Sequence, residues 1–369
     1  MRGDDNGVDD VFLYDRRDET TTRISVAANG ASGDGLSALP SLSDDGRRVA
    51  FVTRATNLID GDTNDRGDVL VHDRKTGATV RASVDSAGNE ADGDSVYATI
   101  AANGRAVAFA SLASNLVPGD TNRDIDVFLH DLKTGTTKLV SVSRAGIPAN
   151  GSSYFTPNAR LGANGRLVPF QSSATNLVAD DVNGTVDAFV HDAQAGVTRR
   201  VSVDSAGREG NAASVEPTMS ANGRVVAFTS IASNLVADDT NGDADVFVHD
   251  LKTGITTRVS VATGGAQGNG ASGEPTLSAD GRYVSFASSS SNLVPDDTNG
   301  AIDVFVHDRK TGITTRASVS SGGSESDAQS YYARLSGNGR FVVLQSSATN
   351  LVPADVNGAA DVFLHDRND

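Results

Sequence analysis

The sequence predicts an all-β fold, a six-bladed β-propeller of four-stranded antiparallel blades, on three observations. An acidic, Gly-containing turn running into an apolar strand recurs seven times, as in DDTNGAIDVFVHD from Asp296 to Asp308. The Asp before that strand falls at positions 10, 68, 126, 187, 245, 303 and 361, a period of 58 residues with one three-residue insertion. The chain also carries 38 Gly in 369 residues and no long apolar run of helical period, the composition of short strands joined by turns. Residues 1–369 are therefore expected to form one propeller domain, with a surplus third strand near residues 10–15.

One repeat, Glu274 to Val319, justifies each element in order. PTLS, RYVSFAS, DVFVHD and TTRASV are four short apolar or alternating segments, hence four strands. Asp280-Gly281 separates the first two, matched by Asp45-Gly46, Asn103-Gly104, Asn164-Gly165, Asn222-Gly223 and Asn338-Gly339. Such pairs predict a type I′ hairpin, in which both central residues take positive φ. DRKTG separates the last two strands, and Asp308 opens that turn with a carboxylate placed to accept backbone N–H groups.

First strands recur six times, near Leu42, Ile100, Leu161, Met219, Leu277 and Leu335, and second strands follow Arg47, Arg105, Arg166, Arg224, Arg282 and Arg340. Third strands number seven and fourth strands six, so closure is expected to use both ends of the chain. The last repeat supplies three strands through Phe363, and Thr21 to Val26 would supply the fourth, leaving DVFLYD as an outward edge; the alternative is that the native chain continues upstream and this is a fragment of a longer array. Gln171 and Gln345, in matching phrases three blades apart, add a faint twofold character.

Charge narrows the function. The net charge is −16, concentrated in the repeated turns, which excludes a phosphate backbone as the natural partner. No run of 18 apolar residues is present, so no membrane span is expected, and with no Cys there is no disulfide framework. The opening MRGDDNGVDD lacks the charged-then-apolar layout of a signal peptide.

Numbered from its Asp, the turn keeps Asp at one, Asn at three and Asp at seven in all copies. The sets are Asp4, Asn6, Asp10; Asp62, Asn64, Asp68; Asp120, Asn122, Asp126; and Asp181, Asn183, Asp187. They continue as Asp239, Asn241, Asp245; Asp297, Asn299, Asp303; and Asp355, Asn357, Asp361. Position five varies freely, as a backbone-carbonyl ligand would allow. Calcium takes six to eight hard oxygens, and alternating carboxylates, amides and a main-chain carbonyl supply them. One calcium per blade, six or seven in all, is the expectation; seven would bring −16 to −2. Ordinary Asx-turn chemistry is the competing reading, but it explains one or two fixed positions rather than three. Two carboxylates per site imply the weak affinity of extracellular modules, which argues for a secreted or periplasmic protein.

Other repeated residues read as structural. The Leu of each SNL or TNL, from Leu58 to Leu351, is an apolar anchor, and the Asn before it a cap that folds the second-to-third connection back on itself. His72, His130, His191, His249, His307 and His365 each precede a turn Asp, but six equal copies are not one catalytic site, so an inter-strand hydrogen bond is expected. No catalytic residue is assigned. Tyr154, Phe155, Tyr331 and Tyr332 are read as a wedge between blades or, if exposed, a binding surface. In the first strands, which would line a central channel, only Arg160 and Arg334 break the uncharged pattern.

The phrase LSADGRYVSFASSSSNLVPDDTNGAIDVFVHDRKTGITTR and its copies resemble the TolB-like, or WD-like, propeller repeats of bacterial exported proteins, in their calcium-loop variety. The resemblance spans essentially the whole chain and implies the fold. For function it implies a family of binding platforms and peptidase accessory domains. The expected function is a calcium-stabilised, secreted binding or scaffold module without catalysis, monomeric, with a protein or carbohydrate partner. The alternatives are a hydrolase or lyase with one central-channel site, and a calcium-dependent lectin.

Overall fold

The structure, a computed structural model, describes residues 6–368. Asp4, the first residue of the first acidic set, lies outside the described residues. The chain forms a β-propeller of six antiparallel blades preceded by a hairpin. The hairpin is β1 (Phe12–Asp15) and β2 (Thr20–Arg23). Blade one is β3 (Ser37–Leu42), β4 (Arg48–Thr53), β5 (Asp68–Asp73) and β6 (Ala78–Arg81). Blade two is β7 (Ser95–Ile100), β8 (Ala106–Ser111), β9 (Asp126–Asp131) and β10 (Thr136–Leu139). Blade three is β11 (Ser153–Tyr154), β12 (Leu167–Ser172), β13 (Asp187–Asp192) and β14 (Val197–Arg200). Blade four is β15 (Ser214–Met219), β16 (Val225–Ser230), β17 (Asp245–Asp250) and β18 (Ile255–Arg258). Blade five is β19 (Ser272–Leu277), β20 (Tyr283–Ser288), β21 (Asp303–Asp308) and β22 (Ile313–Arg316). Blade six has three strands, β23 (Ser330–Leu335), β24 (Phe341–Ser346) and β25 (Asp361–Asp366).

Second and third strands read as continuous apolar runs, such as VVAFTS and DVFVHD, because both their faces are buried between neighbouring blades. A Phe stands opposite a Phe across these strands in four blades, with ring centroids 5.6–5.9 Å apart. Fourth strands are outermost and alternate, as in ITTR. Cores lie between blades: Val246 and Val248 of blade four pack with Leu277, Val284 and Phe286 of blade five. At about 25 cal/mol per Å2 of apolar area removed from water, these interfaces are the main stabilising term.

Four local expectations change. Five of the six Asp-Gly and Asn-Gly turns are not type I′, because positive φ falls on Gly alone; only at Asn164-Gly165 do both residues take it, with φ of 61° and 89°. Gly46 N–H bonds to the Ser43 carbonyl, closing a type I turn with a left-handed Gly at its end. The first strand near Leu161 is not formed; β11 is two residues long, because the insertion and Pro157, which lacks a donor, interrupt the pairing. The five other first strands each contain a bulge, at Leu39, Tyr97, Glu216, Glu274 and Tyr332, with φ of 52–57°.

Closure is the fourth difference. The segment expected to complete blade six, β2, pairs instead with β1, and β25 has β24 as its partner. A hairpin across Arg16–Glu19 closes a short loop, whereas pairing with β25 would close nearly the whole chain, so chain entropy favours the local partner. The hairpin occupies its own sector. Arg16 lies over the Phe341 ring at 4.4 Å as Arg367 lies over Tyr283 at 4.5 Å, the relation of one blade to the blade before it. On its other side Val11 and Ile24 enter a core with Val49, Phe51 and Leu70 of blade one.

Candidate functional site

Each acidic loop leads into a third strand, in the six blades from a second strand, and Asn at position three makes its tethering hydrogen bonds. Asn64 Nδ2 donates to the Ala91 carbonyl at 3.0 Å, and its Oδ1 accepts the Arg66 N–H at 2.9 Å. Asn122, Asn183, Asn241 and Asn299 do the same, and their Nδ2 also donates to Asp126, Asp187, Asp245 and Asp303 at 2.7–3.2 Å. Asn6 pairs with Asp10, and Asn357 with Asp361, in the same way. The amide nitrogen, rather than its oxygen, therefore faces the carboxylate at position seven.

The position-seven Asp is buried at the start of the third strand. Asp68, Asp126 and Asp245 accept Ser Oγ from Ser83, Ser141 and Ser260 at 2.5 Å, and Asp187 from Ser202 at 2.6 Å. Burial is the largest influence on Asp68, Asp126 and Asp187 and pushes each carboxyl up to about 6. Burial also raises Asp62, Asp120, Asp181, Asp239 and Asp297 at position one.

The cation beside these carboxylates in four full blades is a guanidinium. Arg81 reaches Asp62 at 3.2 Å, Asp68 at 3.3 Å and Glu90 at 2.8 Å. Arg200, Arg258 and Arg316 sit equivalently, and Arg23 lies 3.5 Å from Asp10. Blade two differs: Leu139 stands where the others carry Arg, and Pro148 where blades one, three and five carry Glu. Asp181, Asp187 and Glu209 bring one oxygen each within 4.8 Å of one another, with Arg200 among them. Asp62 Oδ1, Asp68 Oδ2 and Asp181 Oδ1 are buried without a well-directed hydrogen bond. For a divalent ion, charge and donor set fit the loop of blade two, where Asp120 and Asp126 face no guanidinium. They fit the arginine-filled loops poorly. Sequence reading passed over these arginines because they lie 13 residues beyond the Asp, in the fourth strand; the recurrent Arg of ITTR was the available signal.

The histidines are structural. Nδ1 of His130, His191, His249 and His307 lies 2.9 Å from a Thr hydroxyl on the fourth strand. Each of these hydroxyls donates onward to a carbonyl of the preceding blade, Val84, Val142, Val203 or Val261, so the ring Nδ1–H is the donor to Thr. Burial lowers the His191 pKa to about 4, with Asp192 opposing and Lys138 assisting. A base depressed from 6.5 stabilises the fold fully above the unfolded value and loses that contribution as pH falls from about 6.5 to about 4. Proton NMR is expected to place the His191 midpoint near 4 and, in Thr198→Val, to shift it; a midpoint near 6.5 would contradict the buried neutral ring.

The Leu anchors are buried as expected. Their Asn neighbours differ from expectation: Asn115 Nδ2 donates to the Glu90 carbonyl and its Oδ1 accepts Asp92 N–H, so each reaches the preceding fourth-to-first connection.

Around the axis, first strands touch between blades one and two, four and five, and five and six. Both arginines that break the pattern span it: Arg160 of blade three pairs with Asp44 of blade one at 2.7 Å, and Arg334 of blade six donates to the Pro157 carbonyl of blade three. Burial lowers the Arg334 pKa to about 10, with Glu274 opposing. A cavity of about 600 Å3 opens across blades four, five and six, lined among others by Glu216, Glu274, Gln345, Tyr331 and Tyr332. Glu274 Oε2 accepts the Tyr332 N–H at 2.8 Å, Glu216 Oε2 the Glu274 N–H at 2.9 Å, and Gln171 Oε1 the Glu216 N–H at 2.7 Å. These acceptors satisfy the amides of bulged residues. Glu216 and Glu274 were not singled out from sequence, although Glu-Pro-Thr in two consecutive repeats marks them. Of the four aromatics, Phe155 is core, Tyr154 stacks with Tyr97 at 6.5 Å, and Tyr332 is exposed beside Tyr331.

Comparison with known proteins yields a fold. No protein-family model matches the chain, and no curated protein sequence matches it. Among solved structures it is similar to an oligogalacturonate lyase in complex with manganese, at TM-score 0.57 and 12% identity over 97% of this chain and 82% of that one. It is equally similar to the β-propeller domain of the Trilobed protease from Pyrococcus furiosus, at TM-score 0.57 and 9% identity, covering 97% and 87%. A putative TolB from Agrobacterium tumefaciens aligns at TM-score 0.47 and 15% identity over 82% and 86%. Fold and site define the class, a β-propeller. Among the described residues, no helix is long and apolar enough to cross a membrane, which says nothing about β-barrels.

Proposed function

We propose that this protein is an exported, non-catalytic binding scaffold that engages a protein or carbohydrate at the cavity across blades four, five and six. One observation carries this reading: the charged groups around the axis are already committed to protein partners. Arg160 and Arg334 bridge blades, and Glu216 and Glu274 accept backbone N–H groups. A general acid or base needs a free, poised proton site, and these groups are engaged as positioning elements. The exposed Tyr332 and half-buried Tyr331 offer the amphipathic rings on which a sugar or an apolar side chain stacks.

Calcium enters the proposal as a stabiliser at the loop of blade two, held by Asp120 and Asp126. It would neutralise two buried carboxylates there, as the guanidinium does in the arginine-bearing loops. Secretion rests on the weak affinity such a carboxylate pair would have, suited to extracellular calcium.

The test combines metal and ligand. Calorimetric titration is expected to give a calcium ion at the blade-two loop that is lost in Asp120→Asn. An oligosaccharide and peptide panel is expected to yield a binder weakened at least tenfold by Tyr332→Ala. Calcium in every loop would refute the arginine-based division, and turnover of any bound ligand would refute the non-catalytic reading.

A further inference from the structure

We propose that a cavity between blades two and three binds a small organic acid, its carboxylate on Lys138 and its apolar body on Ala106, Leu129 and Ala193. Two positions fill the tight-hairpin side of a boundary between blades. One is the first residue of the earlier blade's second strand, and the other follows the later blade's third strand. In chain order the pairs are Arg48 with Leu132, Ala106 with Ala193, Leu167 with Leu251, Val225 with Arg309, and Tyr283 with Arg367. Leu167 and Leu251 join one core, and Arg367 lies over the Tyr283 ring at 4.5 Å. At the second boundary both side chains are methyl groups.

The space that larger groups take elsewhere is there a cavity of about 610 Å3, within the size range of small-molecule sites. One wall is main chain. Gly165 sits so close to Ala106 that a Cβ on it would stand 2.7 Å from the Ala106 methyl, and no side chain at that turn can swing in to fill the space.

In a protein of net charge −16, this lining is basic. Arg105 holds Asp131 and Arg166 holds Asp192, each through Nε and Nη2, so these four charges balance. Nη1 of both arginines makes no hydrogen bond among the described residues. Lys138 also lines the cavity, and its ammonium has neither hydrogen bond nor ion pair among them. Its charge is felt across the boundary, where it helps to lower the pKa of His191 in blade three. Blades one, four and five carry Val80, Thr257 and Thr315 at its position, and the boundary after Arg199 of blade three is the one that Leu167 and Leu251 fill. An inorganic anion would answer the charge and leave the methyl floor wet, whereas a neutral apolar molecule would leave the ammonium unanswered. A carboxylate on a short apolar body does both, accepting charge-assisted hydrogen bonds while displacing water from Ala106, Leu129 and Ala193.

Benzoate and hexanoate serve as probes, with benzamide, hexanamide and inorganic phosphate as controls. Calorimetric titration is expected to show saturable one-to-one binding of at least one acid, roughly tenfold tighter than its amide or phosphate, the worth of a hydrogen bond to a charged group. Proton NMR should show the ring signals of His191 moving as that acid is added while those of His249 stay in place. Lys138→Met removes an exposed cation and should weaken binding by about the same factor. Ala193→Leu installs the residue that blades two and four carry there, and should abolish binding while the circular dichroism spectrum and Tm are kept. Ala106→Val, the residue of blade four, is a second filling variant with the same expected result should the first fail to fold. No saturable binding of either acid, undiminished binding by a folded filling variant or by Lys138→Met, or phosphate or amide binding as tight as that of the acid would overturn the proposal.

Discussion

Replacing Arg200 by Met is expected to destabilise the protein by about 3–5 kcal/mol, the loss typical of removing one partner from a buried ionic cluster. The side chain is nearly inaccessible, and its NH1 lies 3.8 Å from Asp181 and 3.6 Å from Asp187 while contacting Glu209. Without it three carboxylates converge within 4.8 Å with no cation, in a setting that already pushes Asp187 up to about 6. Urea unfolding of the variant measures the loss. Millimolar calcium is expected to restore much of it in Arg200→Met and to change the parent loop little. Arg200→Lys should fall between, because an ammonium is a point charge that cannot address three carboxylates through a planar fork. Equal stability of parent and Arg200→Met would show that the guanidinium is not the neutralising group.

Phe247→Ala is the second large effect, about 3–5 kcal/mol for a buried aromatic truncated to a methyl group. The ring is fully buried, stacks on Phe228 with centroids 5.9 Å apart, and belongs to a core shared by blades three and four with Ala188, Val190 and Met219. Neighbouring β-strands are pinned by ladder hydrogen bonds, so collapse around the missing ring would be slight and a cavity would remain. Phe363→Ala makes the control. It is the equivalent residue of blade six, only partly buried, and its loss should be smaller by a factor of two or more. Similar losses at both positions would show that the partial exposure of Phe363 does not reduce its contribution. Because repeat arrays need not unfold in one step, transitions of the two variants should be compared by the same optical probe.

Much of the fold was legible because the relevant forces are local. The third strand DVFVHD, its entry turn and its exit at Asp308 each depend on residues within a few positions. Lys310 N–H does bond to Asp308 Oδ1 at 3.0 Å, as turn chemistry requires. What was hidden is the second partner of that carboxylate, Arg282 at 2.6–2.9 Å, 26 residues earlier at the head of the second strand. The same clamp joins Arg166 to Asp192, whose carboxyl the guanidinium holds down at about 2. The hairpin type was misread for a different reason. Asn-Gly favours type I′ only where two residues bridge the strands, and in five of the six repeats Ser43 and its equivalents begin a longer turn in which Gly alone needs positive φ.

The acidic loops divide in the same way. Position-specific repetition identified Asp and Asn as the fixed groups, but a ligand set is a statement about which atoms converge. Asn turns its nitrogen, not its oxygen, toward the Asp at position seven, because the nearby carbonyl of the next connection takes its other N–H.

By itself, then, the sequence determined the 58-residue period, the all-β blades, the positive φ of Gly in the tight turns, and the inter-strand hydrogen bonds of the histidines. Those follow from side-chain period, backbone φ and repetition, which are written along the chain. The tertiary structure alone decided which loops hold a guanidinium, which amides the bulges leave for Glu216 and Glu274, and how the ends meet. Each of those depends on groups 13 to 58 residues apart or on opposite termini, brought together by packing between blades. The closure shows the physical reason most directly: a four-residue hairpin at the N-terminus competes with a partner more than 300 residues away, and only the folded ring reveals which pairing is made.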